Sequence, residues 1–368
     1  MQCNVSREIL LKPLQLVAGA VDSKQTLAIL GNLLLQIENN KLNLTGTDTE
    51  IEMHTSVQLE AGSEDGSITV PARKLVDICK ILPAGAQINL KQDDAKIMLT
   101  AGRSKFTLLT LPADDFPNIT PSEYIHSFTV SAKTLLDLIE RTKISMAQQD
   151  VRQYINGMLF EITPTSINAV STDALRLSVC TAELETGINE SYKVIVPRKG
   201  ILELIRLLAE QQDEVKINLE KNHIRIESGD FIFTSKLIDG EFPDYEKVLP
   251  QENNKKATIN KNELREALNR ANVLADDKKS ILLSFNKNGA LKIQSSNRLH
   301  QEQSEEEINI TYQEDDLELG FNSNFLLETL NVIKGDEVLF LMLDNDTAIL
   351  IQDPANNEAK YVVMPLTL

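Results

Sequence analysis

The sequence predicts an α+β fold in which one domain, two helices packed on antiparallel sheet, is written three times along the chain. Three observations predict it. The segment VPARKLVDICKIL (70–82) returns 126 residues later as VPRKGILELIRLL (196–208). Its surroundings return with it: Phe116-Pro117-Asn118 as Phe242-Pro243-Asp244 and Gly31 as Gly157, both 126 residues on, and Thr47-Asp48 as Thr172-Asp173, 125 residues on. A third, fainter copy places KIQSSN, around Ser296, where the Thr-Asp pairs stand, and GFNSNFLLETL (320–330) where the Val-Pro segments stand. A period this long is domain-sized, beyond the units of solenoids and propellers. At 368 residues the chain has the length for three domains with a core each.

The elements of each copy follow one order. A strand (Asn4-Val5, Phe128-Thr129-Val130, Ala257-Thr258-Ile259) leads into an amphipathic helix, at 7–20, 131–146 and 261–275. In the first copy, strands at 29–38, 41–46 and 50–59 come next. The Val-Pro helix follows, at 71–82 and 197–209, with proline in the first turn, where its missing N–H has no partner to lose, and its proline-free counterpart lies at 322–334. Strands such as 87–91, 96–101 and 103–111 complete the unit. Tight Asn, Asp and Gly turns between strands mean antiparallel pairing, and two helices per copy are too few for parallel crossovers. Both helices are expected on one side of a curved sheet. The copies are set at 1–124, 125–252 and 253–368, with boundaries in the polar stretches Pro121–His126 and Gln251–Lys256, too short for flexible tethers.

Composition bounds the function. A hydrophobic fraction of 42% and a charged fraction of 25% are those of a soluble globular protein. The opening MQCNVSREILLKPL has no long apolar run, and no stretch reaches the about 18 apolar residues of a membrane helix, so neither a signal peptide nor a membrane partner is expected. Cys3, Cys79 and Cys180 are odd in number and far apart, which suits buried or free thiols in a reducing cytoplasm. The net charge of −17 argues against nucleic acid until it is located. The six helical segments carry fifteen Lys or Arg against eight acids, a net +7, which leaves −24 for the rest. Phosphate would be drawn to the helical surface, where Arg73, Arg198 and Lys199 head the Val-Pro helices. The plainer alternative is solvent-facing helices of mixed charge.

Chemistry is nearly silent. Glycine-rich phosphate loops, HExxH, GxSxG, CxxC and EF-hand patterns are absent from the sequence, and His54, His126, His223 and His300 are scattered. Adjacent acids at Asp93-Asp94, Asp114-Asp115, Asp276-Asp277 and Asp315-Asp316 read as solvated turns, since acid–base pairs come from separate elements facing one cleft. No catalysis, cofactor or metal is expected; a hydrolase would have to depend on an acid such as Asp114 or Asp277. Two stretches stand out. The ending YVVMPLTL (361–368) is either a core strand or also the lining of an apolar groove for a partner peptide. The acidic run Glu302–Ile308, with Glu305 and Glu306, alternates poorly; it is either solvated surface or a face presented to Lys74, Arg103 and Lys105 of another copy.

The segments VPARKLVDICKILP, GRSKFTLLTLPADDFPN, SMAQQDVRQYINGMLFE, VIVPRKGILELIRLL, GDFIFTSKLIDGEFPDY and YVVMPLTL together resemble the bacterial DNA polymerase III beta subunit, the replicative sliding clamp, from Val5 to Leu368. The resemblance implies two three-domain chains joined head to tail in a ring, helices around a central hole and an acidic rim outside. Such a ring holds duplex DNA without reading its sequence. It tethers the polymerase III catalytic subunit, and it is opened by an ATP-dependent clamp loader. The competing reading is a DNA-independent peptide-binding scaffold, which needs no basic helices. The two-domain trimeric clamp of eukaryotes is excluded by three repeats.

The same resemblance implies sites. Lys24, Arg73, Arg198, Lys199 and the segment Gln148-Gln149-Asp150-Val151-Arg152-Gln153-Tyr154 would approach DNA. Lys24 keeps the charge of the family's frequent Arg, whereas Gln153 lacks the stacking surface of an aromatic there. A groove for short linear motifs of polymerases, the loader and repair proteins would be lined by Ile155, Thr172, Leu175, Arg176, Leu177, Pro243, Val248, Val362, Met364, Pro365 and Leu366. Ala174 and Leu175 replace the family's usual Gly-His and make its lip more apolar. Chain contact would set Phe106 and Leu108 against Val273 and Leu274 of the partner, forming a homodimer with sheet edges paired.

Overall fold

The computed structural model describes residues 1–21, 27–120, 122–229, 231–297 and 300–366. Among them the helices are α1 (Arg7–Ala18), α2 (Ala72–Ile81), α3 (Ala132–Thr142), α4 (Arg198–Leu208), α5 (Lys261–Ala271) and α6 (Ser323–Val332), two per repeat at the expected places. Ser6 caps α1 by accepting the Ile9 N–H, and Asn260 and Asn322 cap α5 and α6 in the same way. The helices are shorter than expected, so Lys143 and Lys334 fall beyond them. α6 carries Glu328 and no cation. The Val-Pro prolines also sit one step earlier than expected. Pro71 and Pro197 close the strands Gly66–Pro71 and Tyr192–Pro197, each at the rim of a sheet, where a residue without an N–H costs no ladder bond.

Each repeat contributes two four-stranded antiparallel sheets. The chain forms two compact bodies, Met1–Lys133 with Lys199–Leu237 and Thr134–Arg198 with Ile238–Leu368. In the first, Ile51–Gln58 of the first repeat pairs antiparallel with Phe231–Lys236 of the second, Glu52 opposite Thr234, and two half-sheets fuse into one of eight strands. In the second body Arg176–Glu183 pairs with Asn356–Val363, Leu177 opposite Val362, and the result is again eight strands. The middle repeat is therefore shared between the bodies, one sheet in each. A four-stranded sheet remains in each body, ending at the open strand Ser104–Leu109 in the first and at Glu302–Asn309 in the second.

Apolar residues at alternate strand positions fill the core under the helices, as with Leu33, Leu35 and Ile37, all fully buried. Register corrects one detail of the repeat. Asn32 stands opposite Pro71, and Gly157 opposite Pro197, so Gly157 corresponds to Asn32 and not to Gly31. A Cβ on Gly157 would lie 2.4 Å from the Val196 carbonyl oxygen, whereas Gly31 has open space around it.

The Thr-Asp pairs build one turn twice. The Asp48 carboxylate accepts the N–H groups of Glu50 and Ile51, and the Thr47 hydroxyl donates to the Ile51 carbonyl. Asp173 does the same for Leu175 and Arg176, and Thr172 for the Arg176 carbonyl. Both turns force an L-residue into the left-handed region, Thr49 at φ +78° and Ala174 at φ +72°. In the third repeat the strands in the matching places, Ala290–Asn297 and Glu302–Asn309, pair antiparallel. Ala174 is exposed, so only its backbone is at stake. Ala174→Gly should relieve about 0.5–1 kcal/mol, the left-handed penalty less the entropy of glycine. Calorimetry should show the melting point rise by roughly 1–3 °C; an unchanged or lower value would mean that the turn stores no strain.

Candidate functional site

The second body carries an exposed apolar patch over a packed floor. Leu177, Val362 and Leu350 lie side by side across three strands, and Tyr245 and Val179 pack with them, all buried. The Tyr245 hydroxyl donates to the Glu161 carboxylate at 2.5 Å, which fixes the segment 242–249 over the sheet. Burial and that bond push the Tyr245 hydroxyl pKa up. Burial pushes the Glu161 carboxyl up too, but hydrogen bonds from Tyr245 and Lys193 outweigh it and the net direction is down. Leu175 is 51% exposed, Val248 46% and Met364 41%, and Pro243 is exposed on the same segment as Val248. The Met364 N–H donates to the Leu175 carbonyl at 2.9 Å and the Leu366 N–H to the Gly320 carbonyl at 2.8 Å, so the tail runs as a fixed edge. The tail is a core strand as far as Tyr361, Val362 and Val363, and Met364 emerges from it.

Not every residue expected at the groove faces out. Ile155 is buried, while Tyr154, expected near DNA, is half-buried against the floor. Thr172 is tied into the turn below the lip. Pro365 and Leu366 are half-buried. The sequence reading missed Phe242, Tyr245, Leu341, Ala348 and Leu350. For Leu341, Ala348 and Leu350 the signal was legible in Val338–Met342 and Ala348–Ile351, unbroken apolar runs that mark strands apolar on both faces.

Arg176 is the cation of the lip. Its Nε lies 3.0 Å from Asp173 Oδ2, its Nη1 2.6 Å from Glu328 Oε2, and its guanidinium carbon 4.2 Å from the centroid of the Phe325 ring.

The expected DNA-facing residues divide by partner. Lys24 lies outside the described residues. Arg73 and Lys74 stand exposed on α2 and form no ion pair among the described residues. Arg198 donates to the Met146 carbonyl at 3.1 Å, and Lys199 pairs with Asp48 of the first Thr-Asp turn. In the loop before Ile155, Gln148, Gln149 and Gln153 are exposed and Val151 is 93% exposed. Gln149 takes φ +59°, and Asn156 closes the loop by hydrogen bonds to both backbone groups of Asp150. Arg152 grips Asp150 with Nε and Nη2, each at 3.0 Å, and this holds the Asp150 carboxyl down at about 2.

At the open strand edges, Arg103, Lys105 and Leu109 are exposed, Leu109 at 71%, whereas Phe106 is half-buried and Leu108 buried. Leu109 was not expected there. Val273 is 76% exposed and Leu274 half-buried. The acidic run is a strand after all, its residues alternating between exposed and half-buried. Glu306 pairs with Arg270 at 2.8 Å and Glu305 with Lys292 at 3.4 Å.

Three family models match in succession: the N-terminal domain of the DNA polymerase III beta subunit at residues 1–120, its central domain at 129–244 and its C-terminal domain at 246–367. The chain is 47% identical to the beta sliding clamp of Pseudomonas aeruginosa and 44% identical to that of Escherichia coli, covering the whole of each. Among solved structures it is similar to the crystal structure of the DNA polymerase III subunit beta from Pseudomonas aeruginosa, with a TM-score of 0.97 at 46% identity, and to Caulobacter crescentus pol III beta, with 0.94 at 32%, each over both full chains. A Pseudomonas aeruginosa clamp bound to griselimycin matches with a TM-score of 0.96. With relatives this similar along its whole length, the chain belongs to the DNA polymerase III beta subunit family and acts as a sliding clamp, a processivity factor without catalysis of its own.

Proposed function

We propose that two copies of this chain close head to tail into a ring around duplex DNA and present one apolar groove per chain to polymerases, loader and repair proteins. The observation that carries the ring is the pair of open strand edges. Twice within the chain a half-sheet of one repeat joins a half-sheet of the next to make eight strands; the two four-stranded sheets left over are the missing halves of a third. Ser104–Leu109 occupies the place of Phe231–Lys236 in its half-sheet, and Glu302–Asn309 that of Ile51–Gln58. Pairing between copies would cover both edges and set Arg103 and Lys105 against Glu305 and Glu306. Those carboxylates would then exchange or share the partners they now hold. Leu109, Phe106 and Leu108 would meet Val273 and Leu274, with Lys74 at the margin.

DNA binding rests on the basic helices and the Gln148–Tyr154 loop. Arg73 is ready for phosphate, whereas Arg152 and Lys199 must first leave Asp150 and Asp48. Such contacts hold backbone rather than bases and weaken with salt. The ring stays on DNA because it is closed, and a polymerase docked at the groove acts at an effective concentration of order millimolar. No helix among the described residues is long and apolar enough to cross a membrane, in keeping with a cytoplasmic protein that works on the chromosome.

Two measurements test this. The protein is loaded onto nicked circular DNA by its clamp loader with ATP, washed at high salt, and the circle is then cut once. Retention until the cut and release after it is the expected outcome; loss in the wash, with loading verified, would favour a scaffold that works without DNA. On linear duplex, Arg73→Ala and Arg198→Ala should each weaken binding evenly across sequences and lower the slope of log K against log salt by roughly one. Unchanged slopes in both would place the DNA elsewhere.

A further inference from the structure

The apolar groove has a cation at its lip, and the structure cancels it. Arg176 is 10% exposed and faces two carboxylates and an aromatic ring. Asp173 has other duties, since its second oxygen holds the turn through the Leu175 and Arg176 N–H groups. Glu328 has none. Its recorded contacts among the described residues are with Arg176 alone, and it is 48% exposed at the end of a 2.6 Å ion pair. It stands three residues after Phe325 on α6, the helical spacing that puts both on one face, so one helix supplies the ring under the guanidinium and the acid at its tip. Since α6 has no basic residue, nothing on it offsets Glu328. The backbone of Arg176 is fixed as well, its carbonyl accepting the Thr172 hydroxyl and its strand paired to Val363.

We propose that Phe325 and Glu328 are positioning residues that set the specificity of the groove: they stack and pair Arg176, so the lip offers a partner peptide no free positive charge. A carboxylate in the peptide then finds no counter-ion at the position facing Arg176, and an uncharged residue there binds as well or better. The inference rests on the groove reading and goes beyond it in naming the peptide chemistry selected and the residues, outside the groove itself, that select it.

The test uses labelled synthetic peptides with two leucine anchors, carrying Glu or Gln at each remaining position in turn, titrated by fluorescence anisotropy against the full-length protein. Wild type should bind every Gln peptide at least as tightly as its Glu twin. Glu328→Gln, which keeps shape and removes charge, should shift the Glu-to-Gln ratio at one position by about two- to five-fold in favour of Glu, the range of a partly exposed ion pair. The shift should fade at high salt and vanish when Arg176→Gln is added. A structural role alone would move both peptides together and leave the ratio unchanged. An unchanged ratio in Glu328→Gln, with an unaltered melting point, overturns the proposal, as does a wild type that already prefers Glu. If no peptide binds, or if Leu175→Ala and Met364→Ala leave binding of the all-Gln peptide intact, the groove itself is misplaced and both readings fall.

Discussion

A strand at the rim of a sheet carries a row of backbone N–H and C=O groups that another strand can pair, and this chain meets that demand by joining rims between successive repeats. Because the joints are backbone ladders, they need no matching of side chains, and the outer face of each joint stays open to other uses. The antiparallel ladders at Ile51–Gln58 with Phe231–Lys236 and at Arg176–Glu183 with Asn356–Val363 follow the same plan, down to the Thr-Asp turn beside each. The two rims that stand in the junction positions but are not joined within the chain, Ser104–Leu109 and Glu302–Asn309, are ones whose flanks carry opposite charge.

What the repeats did with those outer faces explains why one junction carries an exposed apolar patch and the other does not. At the second, Leu177, Val362 and Leu350 make an apolar row. The positions that match them in register at the first are Glu52, Thr234 and Arg225. There Glu52 accepts the Ile119 N–H at 2.9 Å, and Glu220, fully buried, accepts the Ser122 hydroxyl at 2.7 Å and its N–H at 3.2 Å. Burial pushes the Glu52 carboxyl up. The polar row thus holds down the chain's own linking segment, a job that hydrogen bonds do with direction. The apolar row carries the matching segment too, with Phe242, Tyr245 and Leu249 packed against it, but leaves Leu175, Val248 and Met364 exposed.

Much of this was legible in the residues. The Val-Pro and Thr-Asp repeats locate helices and turns because each depends on local chemistry: a residue without an N–H at a strand exit, a carboxylate that caps a turn. Local signals fail where pairing decides. Gly31 matches Gly157 by eye, but cross-strand register assigns Gly157 to Asn32. The run Glu302–Ile308 looked irregular because an edge strand with charge on its outer face lacks the apolar alternation that identifies a half-buried strand. Of the apolar patch, the tail and the Thr-Asp turn pointed to Leu175, Leu177, Val362 and Met364; the apolar runs 338–342 and 348–351 were visible, but not that pairing of distant strands sets them beside Leu177. Nor could a sequence show that Lys199 and Arg152, counted as cations for DNA, already have carboxylates at hand.

Those carboxylates bear on friction. A cation that grips phosphate and otherwise stands bare must break an ion pair for each step the duplex takes, with nothing to ease the break. Arg152 has Asp150 two residues away, and Lys199 has Asp48 on the adjoining turn. In the proposed ring, each would fall back on its own acid as a phosphate departs, so the loss of one contact would be offset by the return of another. Exchange of this kind would flatten the energy profile along the DNA axis. The acids that weaken the grip would then be what lets the ring travel.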